Sequence, residues 1–124
     1  MKKILLVEDD APTAELVRAL LLRNGYEVFH CKTGTEALPM AGKNRPDLVI
    51  LDLRLPGMDG HAVQSELYRD EKTRDIPILL VTVDNQLEQD FAGAKNVAGF
   101  LAKPFDVMEF QAKVKSVLEK GLNQ

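Results

Sequence analysis

The sequence predicts an α/β fold: a parallel sheet of five strands, doubly wound, with helices on both faces. Three observations predict it. Residues 4–7, 48–51 and 78–81 are apolar without interruption, as strands buried on both faces are. A helical pattern follows each strand candidate, and such alternation favours parallel strands joined by right-handed crossovers. Polar residues (Glu8, Asp9, Asp52, Thr82 and Lys103) stand where strand candidates end, and a parallel sheet collects those ends on one edge.

Residues 4–7 form the first strand candidate. From 11 to 24, Val17, Leu20 and Leu21 recur at helical spacing. Asp10 or Thr13 is placed to cap this helix, Pro12 suits its first turn and Gly25 its end. Residues 26–31 read as the second strand. Thr33-Gly34 opens a helix over 36–43; Pro39 inside it removes a backbone donor and predicts a shortened or kinked helix. Pro46-Asp47 precedes the clearest buried strand, 48–51. Residues 56–60 are a turn cluster of Pro, Gly, Met, Asp and Gly, and 61–70 a third helix. Pro77 precedes the fourth strand, 78–81. A fourth helix is expected over 87–94, where the pattern is faint. Residues 99–101 are a short fifth strand. Asp106 caps a last helix whose inner face is Phe110, Val114, Val117 and Leu118.

The 124 residues suffice for one core without disulfides or structural metal. Residues 1–120 are expected to form that domain, and 121–124 a tail or the stub of a connection. A net charge of −3 and scattered Lys and Arg argue against direct nucleic-acid binding by this domain. Cys31 is the single cysteine, so no internal disulfide forms, and a reducing, cytoplasmic setting is expected. Met1-Lys2-Lys3 resembles the start of a signal peptide, but the apolar run halts at Glu8-Asp9-Asp10. No stretch approaches the ~20 apolar residues of a membrane span.

Singly, the strand-end residues have ordinary explanations. Asp caps loops, Thr is structural, Lys is solvated, and Asp10 suits the positive end of the next helix. Their convergence argues otherwise. The first and third strands of a doubly wound sheet are neighbours, so Glu8 and Asp9 would face Asp52 across a crevice. Three like charges at short range need a proton or a cation. Mg2+ suits them: it takes one or two carboxylates, retains waters and binds a substrate phosphate. Lys103 is placed to pair with Asp52 at rest and then hold a phosphoryl oxygen. Thr82 can donate to another. The Lys103-Pro104 bond is expected to be cis.

These residues carry a resemblance. Leu-Val-Glu-Asp-Asp at 6–10, Pro-Asp-Leu-Val-Ile-Leu-Asp-Leu-Arg-Leu-Pro-Gly-Met-Asp-Gly at 46–60, Val-Thr at 81–82 and Lys-Pro-Phe at 103–105 resemble the receiver domain of two-component response regulators. The match runs from Lys3 to about Leu118. It implies a flavodoxin-like sheet in the order 2-1-3-4-5 with five helices. It implies that Asp52 accepts a phosphoryl group from a sensor histidine kinase or phosphotransfer protein. Asp9, Asp52 and the backbone carbonyl of Arg54 would bind Mg2+ directly, and Glu8 through a metal-bound water. Thr82 and Phe100 would be a switch pair that changes the surface of the last two strands and helices. The domain would catalyse only its own phosphorylation and dephosphorylation.

The chain departs from the family pattern in places. Val83 stands where a small residue is usual, which predicts slower access to the pocket. Arg54 and Asp84, of opposite charge, either bridge over its mouth or stand as two solvated surface charges. Residues 96–98, Asn-Val-Ala, replace the usual Gly-Ala-Asp. Lys113 and Lys115 would serve a dimer face formed on phosphorylation, though the charged partners expected before Phe100 are missing. His30 reads as strand surface and His61 as a helix start; neither is placed as a base. Two rival functions fit less well. A haloacid-dehalogenase-like hydrolase carries Asp-x-Asp after its first strand. A flavin or nucleotide binder needs a Gly- or Ser/Thr-rich phosphate loop there, not acids.

Overall fold

The computed structural model describes residues 1–83 and 87–122. The elements are β1 Lys3–Val7, α1 Ala11–Arg23, β2 Glu27–Cys31, α2 Gly34–Asn44, β3 Leu48–Asp52, α3 Gly60–Arg69, β4 Ile78–Thr82, α4 Leu87–Asp90, β5 Val97–Ala102 and α5 Val107–Lys120. The five strands are parallel and lie in the order β2-β1-β3-β4-β5.

The period-two geometry of strands sorts the sheet's side chains onto two faces. Leu5, Val7, Val49, Leu51, Ile78 and Leu80 pack with Ala37 and Ala41 of α2 and Val63 and Leu67 of α3. Ile4, Leu6, Ile50, Leu79 and Val81 pack with Val17 and Leu21 of α1 and Phe110 and Val114 of α5. Every residue of β3 and β4 is buried, which is why those runs carry no alternation. Full burial of a side chain such as Phe110 contributes roughly 1.5–3 kcal/mol.

Helix starts follow the expected chemistry. Asp10, Thr33, Asp59 and Asp106 accept the backbone N–H of Thr13, Glu36, Ala62 and Glu109, satisfying donors that a helix leaves open. Helix α2 continues through Pro39, so the proline does not shorten it. Its start is tight: a Cβ on Gly34 would lie 2.5 Å from the Met58 carbonyl oxygen. Helix α3 starts as closely, since a Cβ on Gly60 would lie 2.6 Å from Leu53 Cα. The β3–α3 loop is thus held between two helix starts that admit only glycine.

The last third departs from expectation. Among the described residues four helices have ten or more residues, while α4 spans four. The expected helix over 87–94 ends at Asp90 because a turn follows, with Gly93 at φ +87°. Strand β5 is longer than expected, with an irregularity beside Ile78 and Leu79. Asn96, which stands where the family pattern differs, is fully buried there. Gln64 Nε2 donates to its Oδ1 at 2.8 Å, and its Nδ2 donates to the Gln64 carbonyl at 3.2 Å. Its own carbonyl accepts from Ile78 N–H at 2.8 Å. This side chain therefore ties α3 to the start of β5. Among the described residues no helix is long and apolar enough to cross a membrane.

Candidate functional site

The sheet topology brings four strand ends together. Glu8 follows β1, Asp52 ends β3, Thr82 ends β4 and Lys103 follows β5. Glu8, Asp52 and Thr82 are buried, while Asp9 is exposed. Glu8 is drawn inward because its N–H extends the ladder to the Cys31 carbonyl at 3.1 Å.

The Lys103 ammonium donates to Glu8 Oε1 at 2.6 Å and to Asp52 Oδ2 at 3.1 Å. The expected Lys103–Asp52 pair is therefore present, and Glu8 is the closer partner. Asp52 Oδ1 accepts from Arg54 N–H at 2.9 Å, and Glu8 Oε2 from Asp10 N–H at 3.2 Å. One oxygen each of Glu8, Asp9 and Asp52 lie within 4.8 Å of one another. This donor set is all oxygen and anionic, the chemistry that holds a hard cation. The residues present thus fit a divalent ion.

Burial raises the Glu8 carboxyl above its ordinary value, and Asp52 raises it further, against the Lys103 hydrogen bond that lowers it. For Lys103, burial is the largest single influence and lowers its value. Glu8 and Asp52 together outweigh it, so the net shift is upward. Both partners shift the same way because the pair is partly desolvated. Lysine holds its proton firmly, and glutamate is the weaker acid for being buried.

Other expected residues lie around this cluster. Thr82 neighbours the site, and its carbonyl accepts from Lys103 N–H at 2.9 Å. Phe100 is half-buried on β5 beside Leu80, 6.4 Å from the Phe91 ring. Arg54 is exposed, and Asp84 lies outside the described residues. Val83, 54% exposed, lines a cleft of about 370 Å3 with Thr13, Leu16, Lys103, Pro104 and Phe105. The Lys103-Pro104 bond is cis.

Two contacts were not anticipated. His30 reaches the Glu8 carbonyl through Nε2 at 2.9 Å. Pairing β1 with β2 at the strand ends would have placed it near the acids, since its partner is Leu6. His61 stacks on Phe91 at 4.7 Å and pairs with Asp90 at 3.6 Å. No sequence spacing signals that contact, because α4 is so short.

Residues 4–115 match the family model described as response regulator receiver domain. The chain is 39% identical over 121 residues to the DNA-binding dual master transcriptional regulator RpaA of Synechocystis sp., covering 97% of this chain and 50% of that protein. It is 36% identical to the phosphate regulon transcriptional regulatory protein PhoB of Pseudomonas aeruginosa, covering 96% of this chain and 52% of that one. The chain thus spans about half the length of these curated relatives. A crystal structure of the receiver domain of a Pseudomonas aeruginosa sensor histidine kinase, with magnesium coordinated in its active-site cleft, superposes with a TM-score of 0.83 at 29% identity. That match covers 99% of this chain and 98% of the other. With the strand order and the acidic pocket, these matches establish that the chain belongs to the response regulator receiver domains of two-component systems.

Proposed function

We propose that Asp52 is the phosphoacceptor of this receiver domain. The observation that carries the proposal is a buried carboxylate held between an ammonium and two further acids at a sheet edge. A carboxylate oxygen of Asp52 attacks the phosphorus of a phosphohistidine. The new O–P bond forms as the P–N bond breaks, and the leaving imidazole takes a proton. An acyl phosphate results. Lys103 Nζ, already on Asp52, offsets negative charge on the transferring group, and Thr82 donates to another of its oxygens. Glu8, Asp9, Asp52 and the Arg54 backbone carbonyl would hold Mg2+, Glu8 through a water. Bound there, the ion supplies charge neutralisation and alignment for the incoming phosphate.

The phosphoryl group adds roughly −1.5 to −2 charge. It biases a pre-existing equilibrium, with Thr82 and Phe100 as the switch pair and the β4–β5 surface as the readout. Couplings of this kind are ~1–3 kcal/mol, short of the ~5.5 kcal/mol of a full inversion. The α4 turn counts as the fourth of five helices in this reading, residues 1–120 as the domain and 121–124 as a tail. The domain acts in the cytoplasm, a sensor histidine kinase or phosphotransfer protein is the donor, and phosphorylation favours a homodimer. The domain turns over no other substrate. An output segment like those of the longer relatives would lie outside this chain.

Incubation with acetyl phosphate and Mg2+ should add the mass of one phosphoryl group. Asp52→Asn should abolish it. Labelling that persists in Asp52→Asn refutes the assignment.

A further inference from the structure

We infer that His30 is a positioning residue for the acidic pocket, acting through the main chain of Glu8. A carbonyl oxygen only accepts, so the Nε2 atom 2.9 Å from the Glu8 carbonyl carries a hydrogen and donates it. The β1–β2 ladder ends at Val7 and Cys31, and the Glu8 N–H reaches one step further to the Cys31 carbonyl. Beyond that point β2 turns into the cap of α2 at Thr33. The imidazole stands where a longer ladder would supply the next donor. The Glu8 main chain is therefore held on both sides of its Cα, at its N–H and at its carbonyl, by β2.

That stretch of main chain sets the direction of two acids. Its Cα carries the Glu8 side chain, which meets Lys103. Its carbonyl side leads directly to Asp9, the exposed member of the carboxylate trio. Asp9 has no ladder of its own to orient it, because β1 ends at Val7. The half-buried ring lines a cleft with Ala11, Ala14, Glu15 and Arg18 of α1 and with Val28 and Lys32. Groups outside the coordination sphere that fix its members typically change metal affinity 10–100-fold. A main-chain contact one peptide away belongs at the lower end, about tenfold.

The inference rests on the Mg2+ reading above, and the test separates the two. Mg2+ binding is measured by calorimetry without phosphodonor, on wild type, His30→Gln, His30→Met and His30→Leu. Glutamine keeps a donor at a similar reach; methionine and leucine fill the cleft without one. The thermal midpoint in EDTA reports packing independently. Expected is a Kd for Mg2+ about tenfold weaker in both donorless variants and within about twofold of wild type in His30→Gln. Acetyl phosphate labelling at subsaturating Mg2+ should follow the same order and converge when Mg2+ saturates. Equal Mg2+ affinity in all four proteins would overturn the assignment of His30 alone. So would equal weakening in His30→Gln and His30→Met, which marks a packing role. Wild-type protein that binds no Mg2+ would overturn both readings.

Discussion

Replacing Lys103 with methionine should leave three carboxylates facing one another. Glu8, Asp9 and Asp52 have oxygens within 4.8 Å, and two unit charges at that separation repel by about 3 kcal/mol at an effective dielectric of ~20. The penalty has a ceiling, because Glu8 can take a proton. Holding a proton at pH 7 costs about 1.36 kcal/mol for each pH unit above the ordinary value of 4.5, so about 3 kcal/mol. At pH 5 the same ceiling falls to about 0.7 kcal/mol. Urea unfolding in EDTA should therefore show Lys103→Met about 2–3 kcal/mol less stable than wild type at pH 7 and less than about 1 kcal/mol at pH 5. Mg2+ should restore much of the loss at pH 7, because the ion replaces the missing ammonium charge. The wild-type signs follow from the two shifts. The raised Lys103 value contributes stability below pH 10.5 that is lost as pH rises through the folded value. The raised Glu8 value favours the fold below pH 4.5, an advantage withdrawn as pH rises through its folded value. A pH-independent loss in Lys103→Met, or one that Mg2+ does not touch, would refute this electrostatic account.

Three further predictions concern the surroundings. Gly60→Ala would press a Cβ against Leu53 Cα at 2.6 Å, displacing the loop after Asp52; about 1–3 kcal/mol less stability in urea is expected, and an unchanged midpoint refutes the close approach. Val83→Ala, at the rim of the cleft beside Lys103, should speed labelling by acetyl phosphate; an unchanged rate shows that Val83 does not obstruct entry. Burial, helped by Glu36, pushes the Cys31 thiol from 9.0 to about 11, which contributes stability below pH 9.0 that fades as pH rises through about 11. Iodoacetamide at pH 8 should thus alkylate Cys31 in the folded protein far more slowly than in urea, and comparable rates would contradict its burial.

The strands were legible where packing leaves a simple trace. β3 and β4 are buried on both faces, so continuous apolar runs betray them. β5 is mostly half-buried, and only its centre was readable. The span of α4 was misjudged because a four-residue turn has no repeating face to read. The acidic trio and Lys103 were legible because strand ends converge by topology alone. Which carboxylate Lys103 approaches more closely was not, since 2.6 Å against 3.1 Å depends on how β1 and β3 sit. The His30 contact left only a positional trace, its register opposite Leu6. Its acceptor is a main-chain carbonyl, which every residue carries, so no residue type marks it.

The lysine also explains how chemistry at one carboxylate can reach the opposite edge of the sheet. Lys103 joins Glu8 and Asp52 through its side chain and Thr82 through its N–H. It lies three residues after Phe100, whose ring touches Phe91 and, through it, His61 of α3. Under the proposed function, a phosphoryl group on Asp52 competes with Glu8 for the same ammonium. Glu8 is then left beside new negative charge without its partner, unless the lysine stays and the phosphoryl group moves toward it. Where the lysine follows the phosphoryl group, it pulls on its own backbone N–H, which is bonded to the Thr82 carbonyl at the end of β4. A change confined to β1 and β3 would leave that bond idle, so under the proposed function the rearrangement would be directed to the β4–β5 side.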